Sequence, residues 1–214
     1  ATLSRIAELS NSLREDNEGF YTQENICYTL VKHLPDSSSF DRLNILEPSD
    51  GVGNFLPSLI ATYSDVPEAN SDVVDIDENI LRVLRELVNL LTIPQNVRLN
   101  FILADTILHN FERRYDIVIG NPPYKKVTKN PRLLKEYKRN NQNKDTNNLF
   151  EFFIEKCISV GRYVSLIVPK SLINSPEFNT TRGILSGMSV QTIIDFGEKG
   201  FKGVYLIIIM FVVV

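Results

Sequence analysis

The chain is poor in cysteine and histidine, with two of each in 214 residues. Cys27 and Cys157 lie far apart and have no metal-ligating neighbours at useful spacing, which excludes a disulfide framework and a zinc site. No metal is expected, and a reducing compartment, the cytoplasm, fits. A secretory signal is also missing from the reading: Ala1-Thr2-Leu3-Ser4-Arg5 leads into polar residues, not into an apolar stretch with a cleavage site. The chain has no repeats and no low-complexity tract. Its one long apolar run, VYLIIIMFVVV over 204–214, falls short of the roughly 18 residues that a membrane span needs. The β-branched content of that run, and Gly203 before it, predict a strand covered on both faces. A chain stopping inside such a strand leads us to expect either a hairpin partner already supplied or a longer parent chain. Finally, there is no excess of positive charge: the net charge is -3 and the pI about 5.5. That excludes a protein coating nucleic acid through its overall charge, so any such contact must be local.

What is present predicts one α/β domain, since a domain typically takes about 100 to 200 residues. Strands are expected at 44–47, 71–76, 97–103, 115–119, 163–168, 191–196 and 204–214. Helices are expected at 4–14, from about 54 onward, at 79–91, 149–160 and 171–186. Over 79–91 one helical face collects Ile80, Leu81, Leu84, Leu87, Val88 and Leu91. Strands alternating with helices imply a largely parallel sheet. The segment 125–144 differs from all of this. Lys125, Lys126, Lys129, Arg132, Lys135, Lys138, Arg139 and Lys144 stand there against Glu136 alone, a balance of +7 that leaves -10 for the rest of the chain. Such a stretch is either a solvated surface or a phosphate-binding patch.

In an open parallel sheet, ligands bind outside the carboxyl ends of the strands, where the strand order reverses. Three candidate motifs fall at such ends. Glu47-Pro48-Ser49-Asp50-Gly51-Val52-Gly53 joins the first strand to its helix, and glycines there let backbone approach a ligand. Asp75 ends the second strand, where a carboxylate can accept from both hydroxyls of a ribose. It could instead cap the next helix, although Asp77 is better placed for that. Asp105 follows the third strand and could accept from an adenine amino group or cap the turn at Thr106. The most specific motif is Asn121-Pro122-Pro123-Tyr124 after the fourth strand. Its prolines stiffen the backbone and remove two N–H donors, leaving rigid carbonyl acceptors beside an amide and an aromatic ring. Asn121 and the Pro122 carbonyl can each accept one N–H of a planar exocyclic amine, and Tyr124 can stack on its ring.

With these motifs the chain resembles the γ group of amino-methylating DNA methyltransferases, the N6-adenine enzymes of restriction-modification systems. The resemblance covers essentially the whole chain. It implies a Rossmann-like class I methyltransferase fold, a mostly parallel seven-stranded sheet with an antiparallel last strand. The implied cofactor is S-adenosylmethionine, leaving as S-adenosylhomocysteine, and the implied partners are double-stranded DNA and a cognate restriction endonuclease. Tyr21 and Thr22, after Phe20, resemble the N-terminal cofactor motif. Glu47, Pro48, Ser49, Gly51 and Gly53 resemble the motif around the methionine moiety, Asp75 with Ile76 the ribose-binding position, and Asp105 the residue facing the cofactor adenine. Asn121, Pro122, Pro123 and Tyr124 match the catalytic motif, Asn121 also bordering the cofactor, and Phe201 stands where a late aromatic packs on the far face of a flipped base. The eight basic residues of 125–144 would hold DNA phosphates.

Two departures bear on function. Asp50 replaces a small or apolar residue of the family, and a carboxylate there would repel the cofactor's own carboxylate. The whole of 1–214 reads as a catalytic domain, with the family's target recognition domain either missing or C-terminal to this chain. Glutamine methyltransferases of release factors and some ribosomal RNA methyltransferases share the tetrapeptide. A catalytically silent DNA-binding module is a further alternative.

Overall fold

The computed structural model describes residue 22 and residues 24–49, 53–197 and 205–213. The helix expected at 4–14 lies outside them. Among the described residues seven strands form one sheet: β1 (Arg42–Glu47), β2 (Glu68–Asp75), β3 (Val97–Leu103), β4 (Tyr115–Gly120), β5 (Gly161–Pro169), β6 (Ser189–Asp195) and β7 (Leu206–Val212). Their spatial order is β3-β2-β1-β4-β5-β7-β6. All pairings are parallel except those of β7, which runs antiparallel to both neighbours. The helices are α1 (Glu24–Lys32), α2 (Leu56–Tyr63), α3 (Glu78–Val88), α4 (Pro131–Asn140), α5 (Leu149–Val160) and α6 (Asn179–Leu185).

Side chains alternate across a strand, and the central strands bury both sets. Ile117, Ile119 and Ile208 join Ile26, Leu30, Leu59 and Tyr63 from α1 and α2 on one face. Val118, Ile207 and Ile209 meet Phe150, Ile154 and Cys157 of α5 on the other. Each such side chain, fully buried, stabilises the fold by about 1.5 to 3 kcal/mol. This explains why β4 and β7 read as continuous apolar runs. β7 lies between β5 and β6, so its expected hairpin partner is β6.

Two expectations are corrected. The helix read over 171–186 is instead two 3-10 turns, Lys170–Leu172 and Pro176–Phe178, followed by α6. Pro176 lacks an N–H and drives Ser175 into an extended conformation (φ -72°, ψ 132°), which interrupts the helix. Helix α3 stops at its C-cap Asn89, so Leu91 lies past the buried face and is exposed. Neither α1 nor α4 was among the expected helices. No helix of the described residues is long and apolar enough to cross a membrane.

Candidate active site

The strand order reverses between β1 and β4, and the loops after these strands meet there. Glu47 is fully buried at the end of β1. Gly53 closes the β1 loop at φ +77°, a left-handed conformation that disfavours any side chain. The loop packs tightly on β4: a Cβ on Gly120 would sit 3.2 Å from Cδ of Pro48. Ser49 Oγ donates to the Asn121 carbonyl at 3.2 Å, and Thr106 Oγ1, from the loop after β3, donates to the Pro48 carbonyl. Three strand-end loops are thus tied to one another. Asp50 and Gly51 lie outside the described residues.

Asn121 follows β4 directly, and its amide is held from both ends. Nδ2 donates to Oγ1 of the buried Thr22 at 3.1 Å. Oδ1 accepts from the Tyr124 hydroxyl, which also lies 3.3 Å from the Ile167 carbonyl. Burial pushes the Tyr124 hydroxyl well above its ordinary pKa, so it stays a neutral donor. The Tyr124 ring meets Phe150 edge-on at 6.3 Å. Pro122 is buried and Pro123 half-buried. The structure therefore joins Thr22 of the N-terminal motif to the tetrapeptide, 99 residues away. Tyr21 and Phe201 lie outside the described residues.

At the end of β2, Asp75 Oδ1 accepts from the backbone N–H of Asp77 at 2.9 Å. Asp77 in turn caps α3 by accepting from Asn79 N–H at 2.8 Å, as the sequence predicts. Ile76 and Leu103 flank Asp75 with 69% and 54% of their surface exposed, an apolar rim beside a carboxylate. Asp105 caps its own turn, Oδ1 accepting from Ile107 N–H at 3.0 Å. Its Oδ2 accepts from the Tyr137 hydroxyl at 2.6 Å, a contact that reading the sequence missed.

The basic segment is an excursion between β4 and α5, closed at its neck. Lys126 and Asn148 form a bridge, with Val127 N–H donating to Asn147 O at 2.8 Å and Leu149 N–H to Lys125 O at 3.0 Å. Within it, α4 begins at Asn130, whose side chain accepts from Leu133 N–H, with Pro131 as its first residue. Leu133, Leu134 and Tyr137 point inward onto Ile107, Phe152 and Phe153. Arg132, Lys135 and Arg139, at helical spacing, are exposed on the outer face with Lys125 and Lys129 nearby, while Lys138 is half-buried. Two basic residues have intramolecular partners. Lys126 pairs with Glu177 at 2.8 Å, and the Lys144 ammonium caps α4 on the carbonyls of Lys138, Arg139 and Asn141.

The excursion rests on buried acids of α5. Glu151, fully buried, accepts from Thr146 and Thr181 hydroxyls and from Asn143 and Asn148 amides at 3.2 and 3.1 Å. Glu155 accepts the backbone N–H groups of Gln142 and Asn143 at 2.6 and 2.9 Å. Among the described residues no cluster of His, Cys, Asp and Glu could hold a metal.

A seven-stranded sheet in this order, with acids and a glycine loop at the carboxyl ends of β1, β2 and β3, is the fold of the class I methyltransferases, whose cofactor is S-adenosylmethionine. The donors and acceptors fit that group: carboxylates for ribose hydroxyls, an apolar rim for a purine face, and a left-handed glycine for close backbone approach. The sequence profile of the Eco57I restriction-modification methylases matches residues 56–201, and the chain belongs to that family. It is 29% identical over 192 residues to the type II methyltransferase M.AccI of Acinetobacter calcoaceticus, covering 85% of this chain and 34% of that one. To the type II methyltransferase M.CvrRI of Paramecium bursaria Chlorella virus XZ-6E it is 24% identical over 216 residues, covering 96% and 50%. The chain thus spans about a third to a half of these relatives. The methyltransferase subunit of a type I restriction-modification system from Streptococcus thermophilus superposes with a TM-score of 0.69 at 16% identity, covering 90% of this chain and 44% of that one.

Proposed function

We propose that this domain carries the modification activity of a restriction-modification system, methylating the N6 amino group of an adenine rotated out of double-stranded DNA. The observation that carries the reading is Asn121, fixed between Thr22 and Tyr124 at the carboxyl end of β4. An amide oxygen has two lone pairs, so Oδ1 can keep the Tyr124 hydroxyl and still accept one N–H of the target amine. The Pro122 carbonyl accepts the other, and the two bonds turn the nitrogen lone pair toward the cofactor side. Rotation out of the duplex is required because N6 is otherwise paired and stacked.

S-adenosylmethionine supplies an electrophilic methyl group on a sulfonium and leaves as S-adenosylhomocysteine. Tyr21, Thr22, Glu47, Pro48, Ser49, Gly51, Gly53, Asp75, Ile76 and Asp105 would hold it, with Asn121 at the border. Tyr124 and Phe201 would clamp the base, and no metal takes part. Lys125, Lys129, Arg132, Lys135 and Arg139 would contact phosphates, with Lys126, Lys138 and Lys144 shaping the same surface. In the family, a target recognition domain would select the sequence and an endonuclease would be the cognate partner.

The test is transfer of labelled methyl from S-adenosylmethionine by the intact protein to adenine-containing duplex DNA, followed by nucleoside analysis. N6-methyladenine is expected. N4-methylcytosine, or label on RNA or on a protein glutamine, would overturn the assignment.

A further inference from the structure

Asp105, which would face the cofactor, and the basic helix α4, which would face DNA, are joined by one side chain. Tyr137 is 3% exposed, and its ring packs 5.5 Å from that of Phe152 among Ile107, Val127, Leu149 and Phe153. Its hydroxyl donates to Asp105 Oδ2 at 2.6 Å. Oδ1 is already engaged by the Ile107 N–H, so Tyr137 orients the second oxygen of the carboxylate. Burial and the carboxylate both raise the hydroxyl's pKa, keeping it a donor.

The opposite face of α4 carries Arg132, Lys135 and Arg139. The excursion is anchored by the Lys126–Asn148 bridge before the helix and by Glu155 holding Gln142 and Asn143 after it. The Tyr137 hydroxyl thus ties this anchored arm to Asp105.

We propose that Tyr137 is a positioning residue through which occupancy of the cofactor pocket sets the α4 arm, so that cofactor and DNA bind cooperatively. The proposal rests on the reading above, in which Asp105 lines the cofactor pocket and α4 meets DNA. Coupling of this kind is reciprocal: whatever factor the cofactor adds to DNA affinity, DNA adds to cofactor affinity.

The test compares the intact protein with Tyr137→Phe and Asp105→Ala. Calorimetry gives S-adenosylmethionine affinity, and hydrogen exchange follows the amides of 131–140 with and without cofactor. Duplex DNA binding is measured with and without a non-transferring cofactor analogue. In the parent, cofactor should slow exchange in α4 and tighten DNA binding. Tyr137→Phe keeps the ring, so the fold should persist while cofactor binds about three- to tenfold more weakly, the scale of one hydrogen bond. Cofactor should then no longer change exchange in α4 or DNA affinity. Tyr137→Phe with parental affinity and parental cofactor-dependent protection overturns the proposal, as does exchange raised equally with and without cofactor, which would show a packing role only. Asp105→Ala separates the two claims. If it weakens cofactor binding while Tyr137→Phe leaves the cofactor's effects on α4 exchange and on DNA affinity as in the parent, the coupling alone fails. If it leaves cofactor binding unchanged, Asp105 is not in the pocket and the underlying reading fails with it.

Discussion

Replacing Asn121 by alanine separates binding from chemistry. Thr22 and Tyr124 both hold the amide, and they respond differently to its loss. Thr22 Oγ1 is buried and loses its donor, at a cost of about 1 to 3 kcal/mol for a stranded polar group. The Tyr124 hydroxyl can turn to the Ile167 carbonyl, already 3.3 Å away, so its loss is partly made good. In the chemical step, one acceptor for the target amine disappears while the Pro122 carbonyl remains. Loss of one preorganised polar contact typically lowers the rate about 10²- to 10³-fold, so methyl transfer should fall by that factor and not to zero. Cofactor affinity should change by less than about threefold, under 1 kcal/mol. Asn121→Asp supplies the control: it keeps an acceptor, and the Thr22 hydroxyl can rotate to donate to the second carboxylate oxygen. It should regain stability relative to alanine, and part of the rate. Single-turnover transfer of labelled methyl, calorimetry and urea unfolding measure the three quantities. A parental rate in Asn121→Ala, or a rate loss matched by an equal loss of cofactor affinity, would refute the reasoning.

Asp75→Ala should weaken S-adenosylmethionine binding by about 1 to 3 kcal/mol in calorimetry, from lost hydrogen bonds to a ribose; unchanged affinity would remove Asp75 from the pocket. Replacing Lys125, Lys129 and Arg132 with Gln should weaken DNA binding alike on all sequences. The salt slope should flatten by up to about one phosphate-equivalent per true contact, and a parental slope would identify the patch as a solvated surface. Glu151→Leu removes four hydrogen bonds, those from the Thr146 and Thr181 hydroxyls and one from each of the Asn143 and Asn148 amides, which keep Thr181 and Glu177 as acceptors, so the intact protein should lose about 3 to 5 kcal/mol, roughly 1 kcal/mol per bond. A shift in urea midpoint worth under about 1 kcal/mol would show that the network relaxes around the loss.

Features written in local sequence were legible. β4 and its tetrapeptide combine a continuous apolar strand with proline chemistry, and the helix cap at Asp77 follows from residue type and position. β7 was legible because a strand buried on both faces has no polar alternation. The interruption at Pro176 was equally local, since a proline removes an N–H and disfavours the helical conformation of the residue before it. Other features depend on partners distant in sequence. Thr22 and Asn121 are brought together only by the fold, and Tyr137 reads as one more inward residue of an amphipathic helix until Asp105 is placed beside it. Glu151 and Glu155 were missed because a glutamate on a helix ordinarily marks a solvated face. α5 is covered nearly all round, and the Asn-rich stretch 140–148, with Thr181 of α6, supplies the hydrogen bonds that let those acids be buried.

The placement of β7 sets an order of events during synthesis. β6 joins the sheet only through β7, and β5 meets no other neighbour on that side. While the ribosome is still adding residues after Asp195, the nascent chain already contains β5 and β6 but cannot pair them with each other in the native arrangement. The hydrogen-bonding edge of β5 stays open until the last strand emerges and inserts between them, closing long-range contacts that are slow to form. An open, apolar strand edge at that stage is prone to association with other chains. A released chain ending just before Leu206 should therefore keep β1 to β5 ordered while β6 still exchanges its amides freely.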